Sequence, residues 1–208
     1  MRSRLIAAAL GWIGLLSAAP AATEPDPKGP YDHRHCTTCH GVDGSGNVGV
    51  RAPRLAGMES WYLQRQLEMF RAGIRGEHPM DTEGLVMHAM AAGLSDENIA
   101  DIVEWVSEWP LKSVATSLQG DAARGKTLYA TCAACHGAGA GGNRALGAPA
   151  LAGQNDWYLL TQLKNFKNAY RGGHPGDPYG AQMRAAVQSL PDEQAMVDVI
   201  SYINQLGH

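Results

Sequence analysis

The chain has 208 residues, of which 20 are acidic and 17 are basic, so its formal net charge at pH 7 is −3. The basic residues form no cluster of the kind that binds nucleic acid, which argues against DNA or RNA as a partner. A mildly acidic chain is compatible with docking to a basic patch on a partner protein, and equally with ordinary solubility.

The N-terminal segment has the pattern of an export signal. Two arginines precede an apolar run of 15 residues at positions 5–19, and Ala19-Pro20-Ala21 resembles a signal-peptidase site. The run is shorter than the roughly 20 residues that a membrane-spanning helix needs. The sequence therefore predicts cleavage after Ala21 and a periplasmic location. Retention of the segment as a membrane anchor, or a peripheral association with the membrane, stays open.

Two five-residue motifs contain all four cysteines of the chain. Cys36-Thr37-Thr38-Cys39-His40 recurs 96 positions later as Cys132-Ala133-Ala134-Cys135-His136. Each has the form CxxCH, in which the two thiols form thioether bonds to a c-type haem and the histidine binds its iron. The sequence therefore predicts two covalently attached haem c groups. The attachment residues are Cys36, Cys39, Cys132 and Cys135, and the proximal ligands are His40 and His136.

Other uses of the cysteines explain the motifs less well. A disulfide within each pair would close a very short loop and would leave the following histidine without a role. Zinc-binding pairs usually lie about 12–20 residues apart, whereas Cys39 and Cys132 are 93 positions apart. A thioredoxin-like site needs a βαβ context, which the sequence lacks. Haem attachment is therefore favoured.

The offset of 96 residues extends well beyond the haem motifs, so the chain contains one domain twice. Trp61-Tyr62-Leu63, for example, matches Trp157-Tyr158-Leu159. The proline of Trp109-Pro110 ends the last helix of the first copy. We therefore predict a signal peptide at 1–21, a first domain at 25–109, a linker at 110–119 and a second domain at 120–208.

Helix signals recur in both copies and strand signals are scarce, which predicts an all-α fold. Ser60 and Asp156 occupy the same repeat position and are predicted N-caps. Apolar residues follow each of them at i, i+4 and i+7: Leu63, Leu67 and Phe70 in one copy, and Leu159, Leu163 and Phe166 in the other. Apolar stripes also mark the last helix of each copy. The prolines at 25, 27 and 30 predict a short or irregular first helix in the first copy.

The repeat also selects the ligand on the other side of each iron. Met87 aligns with Met183, whereas the methionines at 58, 69, 80 and 90 have no methionine counterpart. A thioether sulfur can ligate haem iron and raise its reduction potential, so Met87 and Met183 are the predicted distal ligands. His78 and His174, each followed by proline, are the rival pair. The polar loops around them favour contact with solvent or with haem propionates instead.

Several other residues have two interpretations each. Pro53 and Pro149 lie 13 residues after the proximal histidines, where they shape a loop or offer a carbonyl to the histidine ring N–H. Arg75 and Arg171 pair with propionates or lie in solvent. Tyrosine and tryptophan side chains pack or reach a propionate with their polar tips: Trp61, Tyr62, Trp157 and Tyr158. The histidines without a histidine counterpart are predicted surface residues: His33, His35 and His88.

The chain after the signal segment resembles the dihaem cytochrome c4 family. The resemblance rests on the doubled CxxCH domain, on a P-x-L-A-G-x4-Y-L-x2-Q-L stretch at residues 53–67 and 149–163, and on a methionine before Leu94-Ser95-Asp96-Glu97 and Leu190-Pro191-Asp192-Glu193. It implies two tandem cytochrome c-type haem domains related by pseudo-twofold symmetry. It also implies a periplasmic shuttle, with a quinol–cytochrome c reductase or a dehydrogenase as electron donor and a terminal oxidase as acceptor.

Three functions are compatible with two haems. The favoured one is an electron carrier that is not an enzyme, because iron held on both sides passes electrons without binding a substrate. The second is the cytochrome subunit of a dehydrogenase complex, as in the flavocytochrome c sulfide dehydrogenases. The third is a dihaem enzyme such as a peroxidase or a thiosulfate dehydrogenase, which needs an open or unusual distal ligand.

Each domain is small enough to be marginal on apolar burial alone, and the chain has only two phenylalanines. A covalently held haem would supply much of the missing core. We therefore expect cofactor-free protein to fold poorly, with a weak helical signal in far-ultraviolet circular dichroism. A well-folded cofactor-free form would contradict this prediction.

Overall fold

The computed structural model describes Asp32 and residues 34–206. The signal segment, the site after Ala21, His33 and His208 lie outside the described residues. The described part contains eight α-helices, one 3₁₀ turn and two isolated β-bridges, and no strand. The predicted all-α fold is confirmed. None of the helices in this part is long and apolar enough to cross a membrane.

The helices follow the same order in both copies. The first copy contains α1 (His35–His40), α2 (Ser60–Arg71), α3 (Thr82–Ala91) and α4 (Asp96–Ser107). The second contains α5 (Ala122–His136), the 3₁₀ turn Arg144–Leu146, α6 (Asp156–Lys167), α7 (Pro178–Val187) and α8 (Glu193–Leu206). The bridges Asn47–Ala52 and Asn143–Ala148 also occupy equivalent positions. The internal repeat of the sequence is therefore a repeat of structure.

Each copy has its own hydrophobic core. In the first, Ile99, Ile102 and Val106 of α4 pack with residues of α2, including Phe70. In the second, the corresponding α8 stripe packs with α6, and its buried members are Met196, Val199, Ile200 and Ile203. The apolar stripes expected from the sequence are therefore the faces that build the two cores.

The first helix differs most between the copies. Helix α1 has six residues and α5 has 15. Asp121 caps α5 by accepting hydrogen bonds from the N–H groups of Ala123 and Arg124 at 2.9 and 3.0 Å. The prediction of a short first helix in the first copy agrees with the described residues.

The predicted N-caps were wrong by one residue. Ser60 and Asp156 are the first helical residues, and the N-caps are Glu59 and Asn155, whose side chains make no capping hydrogen bond. The Asp156 carboxylate accepts a hydrogen bond from the Trp157 N–H of its own helix at 2.7 Å, and it also accepts hydrogen bonds from Ser117 and Leu118 of the linker. The side chain therefore fastens the linker to α6.

A buried carboxylate joins α5 to α8. Asp198 accepts hydrogen bonds from the Asp121 N–H at 2.9 Å, from Arg124 at 2.6 Å and from Gln194 at 2.9 Å. Burial alone would raise the pKa of Asp198, but these hydrogen bonds outweigh it and hold the pKa below its usual range. The aligned residue of the first copy, Asp101, is exposed.

Asp198→Asn should lower the free energy of unfolding of the second domain by about 2–3 kcal/mol, because charge-assisted hydrogen bonds are lost. Since the pKa of Asp198 is lowered on folding, its contribution is present above the unfolded value of 3.8 and is lost as the pH falls. The difference from wild type should therefore narrow at acid pH. Urea unfolding between pH 3 and pH 7 measures both effects.

The matched control is Asp101→Asn, which should change the unfolding free energy by no more than about 0.5 kcal/mol. Equal effects of the two variants would contradict the role assigned to Asp198.

Candidate haem sites

The proximal histidines are held in the same way in both copies. His40 and His136 are the last residues of α1 and α5, and each is about 95% buried. Nδ1 of His40 lies 2.7 Å from the Pro53 carbonyl oxygen, and Nδ1 of His136 lies 2.8 Å from that of Pro149. The ring N–H donates to this carbonyl, which fixes the ring and directs Nε2 the other way. The proposed role of the two proline carbonyls is confirmed.

The environment favours the neutral imidazole in both copies. Burial lowers the pKa of His40 and of His136, although the bond to the proline carbonyl opposes this. A neutral ring keeps the Nε2 lone pair that a metal ligand needs. Nε2 of His136 is buried and has no hydrogen-bond partner among the residues that the structure describes.

The second copy encloses a cavity of about 760 Å³. Its lining includes Cys132, Cys135 and His136, and Met183 of α7 lies on the same cavity. Leu159 and Phe166 contribute to an apolar wall. The volume lies within the range of about 300–1,000 Å³ that is usual for cofactor pockets. The folded chain therefore brings the predicted attachment and ligand residues of the second haem together.

The first copy has a smaller cavity, of about 60 Å³, at the equivalent place. His40, Pro53, Met58 and Met87 line it, so the predicted proximal and distal ligands again share one cavity. Met58 occupies the repeat position that Gln154 has in the second copy. The side chains of the first copy leave less space in this cavity, and Cys36 and Cys39 do not line it.

The four cysteines match in exposure. Cys36 and Cys132 are half-buried, Cys39 and Cys135 are exposed, and none is disulfide-bonded. Burial raises the pKa of the Cys36 and Cys132 thiols. A half-buried and an exposed thiol beside each histidine suit attachment at the edge of a haem.

The residues of the second copy fit a haem, because an orphaned histidine nitrogen, a facing methionine and two thiols lie at one apolar cavity. In the first copy, His40 and Met87 share the smaller cavity, and Cys36 and Cys39 precede His40 on the same short helix. A bound haem supplies a one-electron Fe(II)/Fe(III) couple. The chain lines the cavity with apolar side chains and positions each imidazole ring through a proline carbonyl.

Two buried arginines cross the boundary between the copies. Arg75 donates to Gln66 of its own domain at 2.6 Å and to Gln162 of the other at 3.1 Å. Arg171 repeats this with Gln162 at 2.7 Å and Gln66 at 2.9 Å. Each guanidinium stacks on the phenylalanine of its own domain, 4.4 and 4.6 Å from the ring centroids. The solvent-exposed alternative for these arginines is wrong, because the other domain covers them.

The tyrosines belong to the same network. The Tyr62 hydroxyl accepts a hydrogen bond from Arg171 at 2.9 Å, and the Tyr158 hydroxyl accepts one from Arg75 at 3.3 Å. Gln66 and Gln162 are the glutamines of the repeated stretch at 53–67 and 149–163, and no function was predicted for them. The sequence signal for their role in this network was a glutamine that recurs beside the apolar residues of both helices.

The remaining histidines lie apart from the cavities. His78 stacks on Tyr170, and its Nδ1 accepts a hydrogen bond from the Met80 N–H. Neither His78 nor His174 lines either of the two cavities described above. His35 is exposed, as expected. The surface prediction for His88 was wrong, because this residue is half-buried with Nδ1 2.6 Å from the Phe70 carbonyl oxygen.

Comparisons with known proteins agree with this arrangement. A family model for cytochrome c matches the chain twice, at residues 28–109 and 122–207. The thiosulfate dehydrogenase electron acceptor of Stutzerimonas stutzeri (strain A1501) is 32% identical over 181 residues, which are 82% of this chain and 79% of that protein. Cytochrome c4 of Azotobacter vinelandii is 29% identical over 209 residues, which are 95% of this chain and 94% of that protein.

A solved structure is similar over both copies. The crystal structure of reduced recombinant cytochrome c4 from Pseudomonas stutzeri has a TM-score of 0.64 and 29% sequence identity to this chain. The match covers 81% of this chain and 92% of that one. Two cytochrome c domains with two CxxCH motifs bind two covalently attached haem c groups. The chain therefore belongs to the cytochrome c family, as a dihaem, cytochrome c4-like electron carrier.

Proposed function

We propose that this cytochrome is a periplasmic shuttle with two six-coordinate haems, and not an enzyme. Cys36 and Cys39 would hold one haem between His40 and Met87. Cys132 and Cys135 would hold the other between His136 and Met183. The observation that carries the proposal is that each proximal histidine shares a cavity with the one methionine that the repeat matches. Iron with both positions filled by protein has no site for a substrate.

The boundary between the domains supports electron exchange within the molecule. Tyr62 and Gln66 of α2 line the cavity of the second domain. Tyr158 and Gln162 of α6 line the cavity of the first. Because each cavity borders a helix of the other domain, the two haems would approach each other at this boundary.

The buried arginines support a second role at the boundary. Nε of Arg75 and Nε of Arg171 are buried and have no hydrogen-bond partner among the described residues. No carboxylate within the described part forms an ion pair with either guanidinium. A buried cation is stabilised by negative charge. Asp177 acts on Arg171 without a direct ion pair, and the propionates of the haems would provide direct partners.

Charge and exposure favour the first domain as the place where a partner docks. Residues 32–109 hold 12 acidic and six basic side chains, whereas residues 120–206 hold six acidic and seven basic ones. On α3, which carries Met87, Val86 is 59% exposed and Met90 is 46% exposed. Their counterparts on α7 are Gln182 and Ala186. An exposed apolar patch on an acidic domain suits a partner whose binding surface has basic residues around its edge.

Two classes of electron donor are candidates for this cytochrome. The resemblance to cytochrome c4 favours a quinol–cytochrome c reductase or a dehydrogenase upstream and a terminal oxidase downstream. The 32% identity to a thiosulfate dehydrogenase electron acceptor favours a thiosulfate dehydrogenase as the donor. This second candidate keeps the same haem chemistry and changes only the partner.

Met87→Ala and Met183→Ala should each remove about half of the near-infrared methionine–Fe(III) charge-transfer band of the oxidised protein, since one sulfur ligand of two is lost. Each variant should also gain rapid carbon monoxide binding at one haem when reduced. Wild-type protein should lack this binding, and the matched control is Met80→Ala, at an exposed methionine that lines neither cavity. Rapid carbon monoxide binding by the wild type would overturn the carrier proposal.

Electron transfer from purified thiosulfate dehydrogenase to the oxidised cytochrome should slow as ionic strength rises, because salt screens charges over about 10 Å at 0.1 M. Val86→Gln with Met90→Ala should slow it further at every salt concentration. The control is Ala181→Gln with Ala185→Gln on α7, at exposed positions that do not line the cavity, which should not change the rate. Stopped-flow spectroscopy measures each rate, and transfer that is independent of salt and of both pairs of substitutions would contradict docking through the first domain.

A further inference from the structure

A single peptide group lies between each proximal histidine and the opposite domain. The Pro53 carbonyl accepts the His40 ring N–H at 2.7 Å, and the N–H of the same peptide group, which belongs to Arg54, donates to Asn155 Oδ1 at 2.7 Å. In the other copy the Pro149 carbonyl accepts from His136, and the Ala150 N–H donates to Glu59 Oε2 at 3.0 Å. Each histidine is therefore connected through one peptide group to a side chain of the other domain.

The two connections are equivalent in the repeat. Glu59 and Asn155 are 96 positions apart, and they are the N-caps of α2 and α6. Neither side chain caps its own helix. The chain therefore uses the side chain at this position to reach the histidine loop of the other domain.

Two glycines make room for the side chains. A Cβ on Gly46 would lie 2.6 Å from Asn155 Oδ1, and a Cβ on Gly142 would lie 2.9 Å from Glu59 Oε1. Both glycines have positive φ, at 90° and 82°. Any other residue at these positions would push the opposite side chain off the peptide group.

The chemistry at the far end of the connection differs between the copies. The histidine of the second domain is connected to a carboxylate, whereas that of the first is connected to a neutral amide. No Lys or Arg forms an ion pair with Glu59 among the described residues.

We propose that Glu59 is a positioning residue of the second haem site: its charge acts across the domain boundary and lowers the reduction potential of that haem. The inference rests on the proposed ligation of the irons by His40 and His136. A negative charge hydrogen-bonded to a peptide group makes its carbonyl a stronger acceptor. The stronger acceptor makes the imidazole a better electron donor and stabilises the Fe(III) state. Asn155 does not add this charge at the first site.

Glu59→Gln keeps an oxygen acceptor of the same reach and removes the charge. It should shift the equilibrium constant for electron exchange between the two haems about tenfold toward reduction of the second haem. This corresponds to a rise of about 59 mV in the one-electron potential of that haem. Asn155→Asp should lower the potential of the first haem by a similar factor. Spectroelectrochemical titration measures both potentials, and haem-methyl resonances in nuclear magnetic resonance spectra assign each step to a domain.

Glu77→Gln is the matched control, because it removes one exposed acidic charge from the same domain. It should change the equilibrium constant for electron exchange between the two haems by less than twofold. Hydrogen exchange of the Ala150 amide adds a readout that is independent of the iron, and Glu59→Gln should leave its protection in place. Glu59→Ala should make that amide exchange faster.

The inference would be overturned if Glu59→Gln left the potentials unchanged while the Ala150 amide stayed protected, or if Glu77→Gln shifted them equally. These outcomes differ from failure of the proposed ligation. If the proposed ligation failed, the wild-type protein would lack the methionine–Fe(III) band. If only the inference about Glu59 failed, the band would be present and Glu59→Gln would leave the potentials unchanged.

Discussion

The structure depends on hydrogen bonds that cross the boundary between its two halves. Arg75 and Arg171 each bind the glutamine of their own domain and that of the other, so that the four side chains share two acceptor oxygens. Buried guanidinium groups are costly unless their donors are used. Separation of the domains would expose or orphan these donors, and the boundary is therefore fixed by polar geometry as well as by apolar contact.

This fixed boundary gives each haem site a wall from the other domain. Helix α2 borders the second cavity and α6 borders the first. The side chains of Glu59 and Asn155, at the start of these helices, also reach the loops that orient the proximal histidines. A change in one domain can therefore act on the haem site of the other without a movement of the backbone, because the connection is electrostatic and passes through one peptide group.

The repeat gives both copies a CxxCH motif and a matched methionine, and departures from the repeat give the copies different surroundings. The first domain is acidic with apolar residues exposed on α3, and the second is nearly neutral with a longer first helix, α5, packed on α8. Asp198 is buried at that contact, while its counterpart Asp101 is exposed. Two copies of one fold can thus take different roles in contact with partners.

The sequence by itself determined the two CxxCH motifs, the repeat and its register, because these are local patterns of residue type and spacing. It also determined the helix stripes. The offset of 13 residues between histidine and proline indicated two possible roles for Pro53 and Pro149, and the structure decided for the carbonyl acceptor. Only the tertiary structure decided that Arg75 and Arg171 are buried, that Asp156 holds the linker, and that Glu59 and Asn155 reach the opposite domain. These contacts join residues about 40 to 110 positions apart, and a spacing pattern carries no information about a surface that forms only when two domains meet.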